Sequence, residues 1–325
     1  MKYIIYPLSI LLTVCFLAGC SASVAGKTDT DNDGLNIVAT IFPEYDWVRN
    51  VLGDNPGNAK LTMLLDNGVD LHSYQPTADD ILKISTCDLF IYVGGESDEW
   101  VNDILNEASN PNMKVINLLD VLGENVKEEE LVEGMQDVEG ESTEEEETEY
   151  DEHVWLSLRN AEVIVASIAD SLGNIDTVNS QTYHDNAGAY IEKLKELDKK
   201  YEAVIDEAPV KTLIFGDRFP FRYLVEDYGL KYYAAFAGCS AETEASFNTI
   251  VFLAEKADEL ELGSVLTIEG DDTKIANTIC ENTKDEKKIL TLNSMQSVTS
   301  KDAENGITYL SVMENNLSVL KEALY

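Results

Sequence analysis

The chain has 325 residues, 44% of them hydrophobic, with 15 tyrosines and a formal net charge of −38. That length and apolar content build one large or two medium globular domains and exclude a disordered chain. So acidic a chain excludes nucleic acid and anionic membrane surfaces as partners, and suits a protein that tolerates or attracts cations.

The N-terminus, MKYIIYPLSILLTVCFLAGCSAS, places Lys2 ahead of an apolar stretch over 3–18 that is too short for a membrane span. Leu17-Ala18-Gly19-Cys20 resembles a bacterial lipobox. Residues 1–19 are therefore expected to be a lipoprotein signal peptide, Cys20 the lipid anchor and 20–34 a flexible tether. An ordinary signal peptide with an incidental cysteine is the alternative. An acylated cysteine would hold the protein at the outer face of a membrane without a spanning helix.

Apolar runs at 35–42, 59–65, 88–95 and 113–118 are continuous rather than alternating, as in parallel strands covered on both faces. Helical segments separate them, among them EYDWVRNVLG, TADDILKIS and DEWVNDILNEA. Segment 124–152 breaks this scheme with fifteen acidic residues and one lysine. Its poor periodicity and like-charge repulsion predict a disordered acidic insertion inside the first lobe. Over 180–208, Ala189, Ile191, Leu194, Leu197, Tyr201 and Val204 recur at helical spacing, with no glycine or proline after Gly188. One long, stiff connecting helix is expected there. Strand-like runs return at 210–217, 231–236, 263–270 and 287–293, again alternating with helices and closing on YLSVMENNLSVLKEAL. The fold class is α/β: two lobes, each a mainly parallel sheet flanked by helices, joined by one long rigid helix. The divisions fall at 35–179 for the N-terminal lobe, 180–208 for the helix and 209–325 for the C-terminal lobe.

Three histidines are present. His184 lies among polar residues of the connecting helix and reads as a surface residue. His72, in DNGVDLHSYQPTADD, follows the second strand, and His153, in DEHVWLSLRN, precedes a helix. Either alone would be an ordinary loop or capping histidine. Two in one lobe suggest a divalent metal, because neutral imidazole suits zinc, manganese and iron, and open α/β sheets hold ligands at strand carboxyl ends. The second lobe has no usable histidine, so Asp217, ending TLIFGD, and Glu269, ending SVLTIEG, are its candidates. Their competing roles are a helix cap for Asp217 and a lysine pair for Glu269. Cys87 opens an apolar run and reads as a small buried hydrophobe, which leaves Cys239 and Cys280 as a possible disulfide. The chain has no His-Glu-x-x-His helix and no Gly-x-Ser-x-Gly elbow, so no enzyme is expected.

Taken together, IVATIFPEYDWVRNVLGDN, DLHSYQPTADD, CDLFIYVGG, DEHVWLSLRNA, YGLKYY and YLSVMENNLSVLKEAL resemble the metal-binding solute-binding lipoproteins of bacterial zinc and manganese ABC importers, over 36–324. The resemblance implies two α/β lobes joined by a long helix, metal between the lobes, and His72 and His153 as first-lobe ligands. It implies an extracytoplasmic, lipid-anchored monomer that delivers a divalent metal ion to a membrane permease. The family's third ligand, a histidine or glutamate, falls on Arg218, whose guanidinium cannot ligate a cation. The expectation is that Asp217 turns inward and Arg218 outward, with Glu269 as fourth ligand; Asn293 and Gln296 are weak neutral substitutes. Zn2+ is the expected metal, since it stands above manganese in the Irving–Williams order and two imidazoles with carboxylate bind it well. Mn2+ or iron is the alternative metal. A surface adhesin (cell adhesion) and a secreted metalloenzyme are the alternative classes. The glutamate run is expected either to concentrate cations near the site or to be a solvated insertion without a role in uptake.

Overall fold

Among the described residues, eight short strands form two separate four-stranded sheets, every pairing within them parallel. The first sheet holds β1 (Asn36–Ala39), β2 (Lys60–Met63), β3 (Leu89–Tyr92) and β4 (Lys114–Asn117) in the order β2-β1-β3-β4. The second holds β5 (Thr212–Phe219), β6 (Lys231–Ala237), β7 (Ser264–Ile268) and β8 (Lys288–Leu292) in the order β6-β5-β7-β8. The two orders are the same, so the loops after β2 and β6 occupy equivalent places. The structure is a computed structural model and describes residues 34–54, 57–135, 149–240, 244–270 and 272–325. The expected signal segment, Cys20, tether residues 20–33 and the glutamate run at 136–148 lie outside these residues. No helix among the described residues is long and apolar enough to cross a membrane.

The helices of the first lobe are α1 (Phe42–Leu52), α2 (Ala78–Thr86), α3 (Trp100–Asn106), α4 (Leu118–Leu122) and α5 (Leu158–Ile175). Helix α6 (Ser180–Glu207) leads to the second lobe with α7 (Arg222–Asp227), α8 (Phe247–Glu259), α9 (Lys274–Glu281), α10 (Ser300–Glu304) and α11 (Tyr309–Leu324). The central strands β1, β3, β5 and β7 are almost wholly buried, which is why their sequences read as continuous apolar runs. Along α6, Tyr183, Ala187, Tyr190, Leu194, Leu197, Tyr201 and Ile205 are buried at steps of three and four, one stripe facing α5, α1 and α11. Its charged residues keep the opposite face wet. His184 on this helix is exposed, with Nδ1 against the Ser180 carbonyl (2.7 Å) and Nε2 against Asp170 (2.9 Å).

Segment 124–135 and residues 149–152 are ordered, contrary to the expectation of a disordered insertion throughout. Glu128 and Tyr150 form an antiparallel bridge, flanked by Glu129 N–H to Glu149 O (3.0 Å) and Asp151 N–H to Lys127 O (2.9 Å). This short ladder docks on the second lobe. Tyr223 Oη accepts from Lys127 N–H (3.0 Å) and donates to Asp151 O (2.8 Å), while Arg222 pairs with Glu130. Backbone pairing and three lobe contacts outweigh the charge repulsion that composition alone weighs.

Glu44, at the start of α1, is fully buried and its Oε2 accepts from Thr40 N–H, Thr40 Oγ1 and Ile41 N–H. Burial first, and the nearby Asp98 second, push its carboxyl up to about 8. A folded value above the unfolded one means the group favours the fold below about 4.5 and loses that contribution as pH rises to about 8. Relative to Glu44→Gln, the wild type should therefore lose melting temperature between about pH 5 and about pH 8. Parallel melting curves across that range would show that Glu44 does not titrate there.

Candidate metal centre

His72 is placed by a one-turn 3-10 helix (Leu71–Ser73) in the loop after β2, where Asp70 Oδ1 accepts the His72 N–H at 3.0 Å. An aspartate at that N-cap position closes the turn, a local consequence of the sequence Asp-Leu-His-Ser. Burial first, then the neighbouring His153, lower the His72 imidazolium to about 3, so the ring is neutral. Its Nδ1 meets Ser97 Oγ at 2.8 Å and Glu152 Oε2 at 3.4 Å.

His153 immediately precedes a second 3-10 turn (Val154–Leu156) leading into α5 and is fully buried. Asp151 Oδ1 accepts the His153 backbone N–H at 2.8 Å and stands 3.1 Å from Nδ1. Each Nδ1 has an oxygen beside it, and each ring turns its Nε2 toward the other. The two Nε2 atoms are 3.2 Å apart. Two nitrogens at 2.0–2.1 Å on a tetrahedral zinc lie about 3.3 Å apart, so this spacing already matches such an ion. The carboxylates beside the rings, Asp151 on His153 and Glu152 facing His72 while accepting from Ser97 N–H at 2.9 Å, are the last acidic residues of the run ahead of His153. They are the outer shell of the pair rather than a solvated tail.

A third donor reaches the same place from the second lobe. Cys239 Sγ, His72 and His153 ring nitrogens all lie within 4.8 Å of one another. Cys239 follows β6 as His72 follows β2. Its N–H donates to Glu129 Oε1 at 3.0 Å, so the ordered stem of the acidic segment sets its position. The preceding Gly238 lets the loop pass His153: a Cβ there would stand 3.2 Å from the ring and 2.9 Å from Phe219 O. A cavity of about 260 Å³ lined by His72, Glu96, Glu129, Glu149, Glu152 and Cys239 opens beside the cluster. Burial first, and the surrounding carboxylates after it, raise the Cys239 thiol and the Glu129 and Glu152 carboxyls above their usual ranges. Without a cation, this pocket disfavours further negative charge.

The structure gives the other predicted site residues different work. Asp217 Oδ1 accepts from Arg218 N–H (2.7 Å) and Oδ2 from Ile268 N–H (3.0 Å), tying β5 to β7. Glu269 accepts from Ser294 N–H (2.6 Å), Ser294 Oγ (2.8 Å) and Gln296 N–H (3.1 Å), closing the turn after β8. Both line a separate cavity of about 480 Å³, and neither joins the group of donors within 4.8 Å of the imidazoles. Asn293 is spent in the same turn, its side chain accepting from Met295 N–H at 2.8 Å. Arg218 does not turn outward. It reaches the loop that carries His72 and pairs with Asp70 at 2.7 Å. Burial works against the Asp70 charge, but Arg218 and His72 outweigh it and hold the carboxyl below its usual range. The expected disulfide is absent as well: Cys239 and Cys280 are both free thiols. Cys239 faces the imidazoles, whereas Cys280 packs on α9 against the second lobe's own apolar cluster. The ligand-like position of Cys239 was missed because a single cysteine in Gly-Cys-Ser has no spacing signal. Its place after the second strand of its sheet, matching His72, was the available clue.

Residues 37–323 match the family described as ZnuA, zinc-uptake complex component A, periplasmic. The zinc-binding lipoprotein AdcA of Streptococcus pneumoniae (strain ATCC BAA-255 / R6) is 33% identical over 317 residues, covering 96% of this chain and 60% of the relative. The chain thus spans about three-fifths of that relative's length. The high-affinity zinc uptake system protein ZnuA of Bacillus subtilis (strain 168) is 28% identical over 320 residues, with 97% and 96% covered. Among solved structures, the Zn(II)-bound ZnuA-like domain of S. pneumoniae AdcA superposes with a TM-score of 0.70 at 32% identity, covering 90% of this chain and 99% of that one. A laminin-binding adhesin of Streptococcus agalactiae, at 24% identity and TM-score 0.72, shares the fold.

Proposed function

The chain belongs to the ZnuA family of zinc-uptake complex components, and from that premise we propose that it captures zinc outside the cytoplasm and delivers it to the membrane permease of an ABC-type importer. The observation that carries this reading is the pair of imidazoles with Nε2 atoms 3.2 Å apart, His153 held through Nδ1 by Asp151 and His72 through Nδ1 by Ser97 with Glu152 beside it. Capture of an ion needs no reacting group, and the site is built from a first-lobe imidazole pair faced by a second-lobe loop. Displacing one lobe's donors releases the ion, and a permease that binds the open form better would drive that step. The lipid on Cys20 keeps the receptor at the membrane beside its permease.

Equilibrium dialysis of the full chain against zinc tests this. One tight equivalent is expected per chain, and none in the double variant His72→Ala/His153→Ala. Wild-type binding by the double variant would sink the reading.

A further inference from the structure

We propose that Cys239 is the third metal ligand, bound as thiolate, and that it makes this receptor selective for thiophilic divalent cations, zinc and cadmium among them, over manganese. The inference rests on the receptor reading above and deepens it by naming the cation class. Three separate observations support it. Sγ lies with the two imidazoles in one group of donors within 4.8 Å, and no carboxylate among the described residues shares that group. The loop is held there from both sides: Glu129 takes the Cys239 N–H at 3.0 Å, and Gly238 has no side chain to keep the loop off His153. The carboxylates of Asp217, within β5, and Glu269, just after β7, already accept from backbone donors. The second lobe therefore meets the ion with sulfur.

On binding, the thiol gives its proton to solvent and its sulfur electron pair to the metal, so one thiol is converted to one metal–sulfur bond. Two imidazoles with one thiolate are a donor set that zinc accepts readily, whereas manganese prefers oxygen. The cavity lined by Glu129 and Glu149 also reaches His72 and Cys239. The other two cysteines among the described residues are elsewhere. Cys87 donates to the Ile84 carbonyl in the core of the first lobe, and Cys280 lies on α9.

Cobalt(II) substitution of the full chain tests the ligand directly, because a cobalt–thiolate bond adds an intense near-ultraviolet charge-transfer band. The wild type is expected to show that band with one bound cobalt. Cys239→Ser should lose it, keep weaker cobalt binding through the imidazoles, and lose zinc affinity by at least the roughly 10–100-fold that outer-shell changes cost. Its preference for zinc over manganese should fall with it. Cobalt bound by the wild type without the band, or a band that survives Cys239→Ser, would overturn the thiolate while leaving the receptor intact. Failure of the wild type to bind either cobalt or zinc would overturn both.

Discussion

His153→Ala is expected to weaken zinc binding by at least about 100-fold, or about 2.7 kcal/mol. The imidazole supplies one of two Nε2 donors 3.2 Å apart, and no other histidine can replace it: His184 is exposed on α6 and engaged with Ser180 and Asp170. The change also strips Asp151 of a partner. Its Oδ1 keeps the backbone N–H at residue 153 but faces an empty place where the ring stood. Calorimetric zinc titration and urea unfolding, run on the same preparations, separate the two effects. An affinity within a factor of about three of wild type would contradict the assignment of His153 as a ligand.

Trp155→Ala should give the largest loss of stability, about 3–5 kcal/mol for the deleted volume of a fully buried indole. One residue here ties three elements together. Its Nε1 donates to Ser294 O at 2.8 Å in the turn after β8, and its carbonyl accepts from Tyr309 Oη at 2.7 Å on α11. Its ring stands 5.2 Å from that of His153. The variant leaves Ser294 O buried without this donor and removes the wall against which His153 rests. Trp155→Phe keeps most of the bulk and loses the N–H, so it should cost only about 1–3 kcal/mol. Urea midpoints report both, and the zinc-induced rise in melting temperature should shrink in Trp155→Ala. Wild-type midpoints for Trp155→Ala would mean that the indole is not part of the load between the lobes.

Much of the fold is written locally. The eight strands of the described residues appear where apolar runs stand; the central β1, β3, β5 and β7 are covered on both faces and have no polar side to expose, while the outer strands are partly exposed. The long helix appears where Ala189, Ile191, Leu194, Leu197, Tyr201 and Val204 recur at helical spacing, but its buried stripe is Tyr183, Ala187, Tyr190, Leu194, Leu197, Tyr201 and Ile205, with Ala189 exposed. The imidazole pair was equally legible, since His72 and His153 are loop histidines in a chain with only three. The outer shell was hidden in plain sight. In Asp-Glu-His, the two acids are read by composition as the end of a charge run, yet one orients His153 and the other faces His72.

The second lobe's contribution was not written in that way. A carboxylate at the end of a parallel strand can meet a cation or satisfy backbone N–H groups, and the two readings have the same local sequence. Asp217 and Glu269 take the second role because the turns at 268 and 294–296 present donors to them. Cys239 likewise could pair with Cys280, sit buried or face a metal, and only the equivalence of the loops after β2 and β6 brings its sulfur to the imidazoles. The sequence by itself determined the strands, the connecting helix, the acidic charge and the two histidines, since each depends on neighbours a few residues away. Tertiary structure alone decided which second-lobe side chain lies beside them and where the ordered stem of the acidic segment docks. Those outcomes rest on contacts such as Cys239 to Glu129 and Arg218 to Asp70, across 110 and 148 residues of chain.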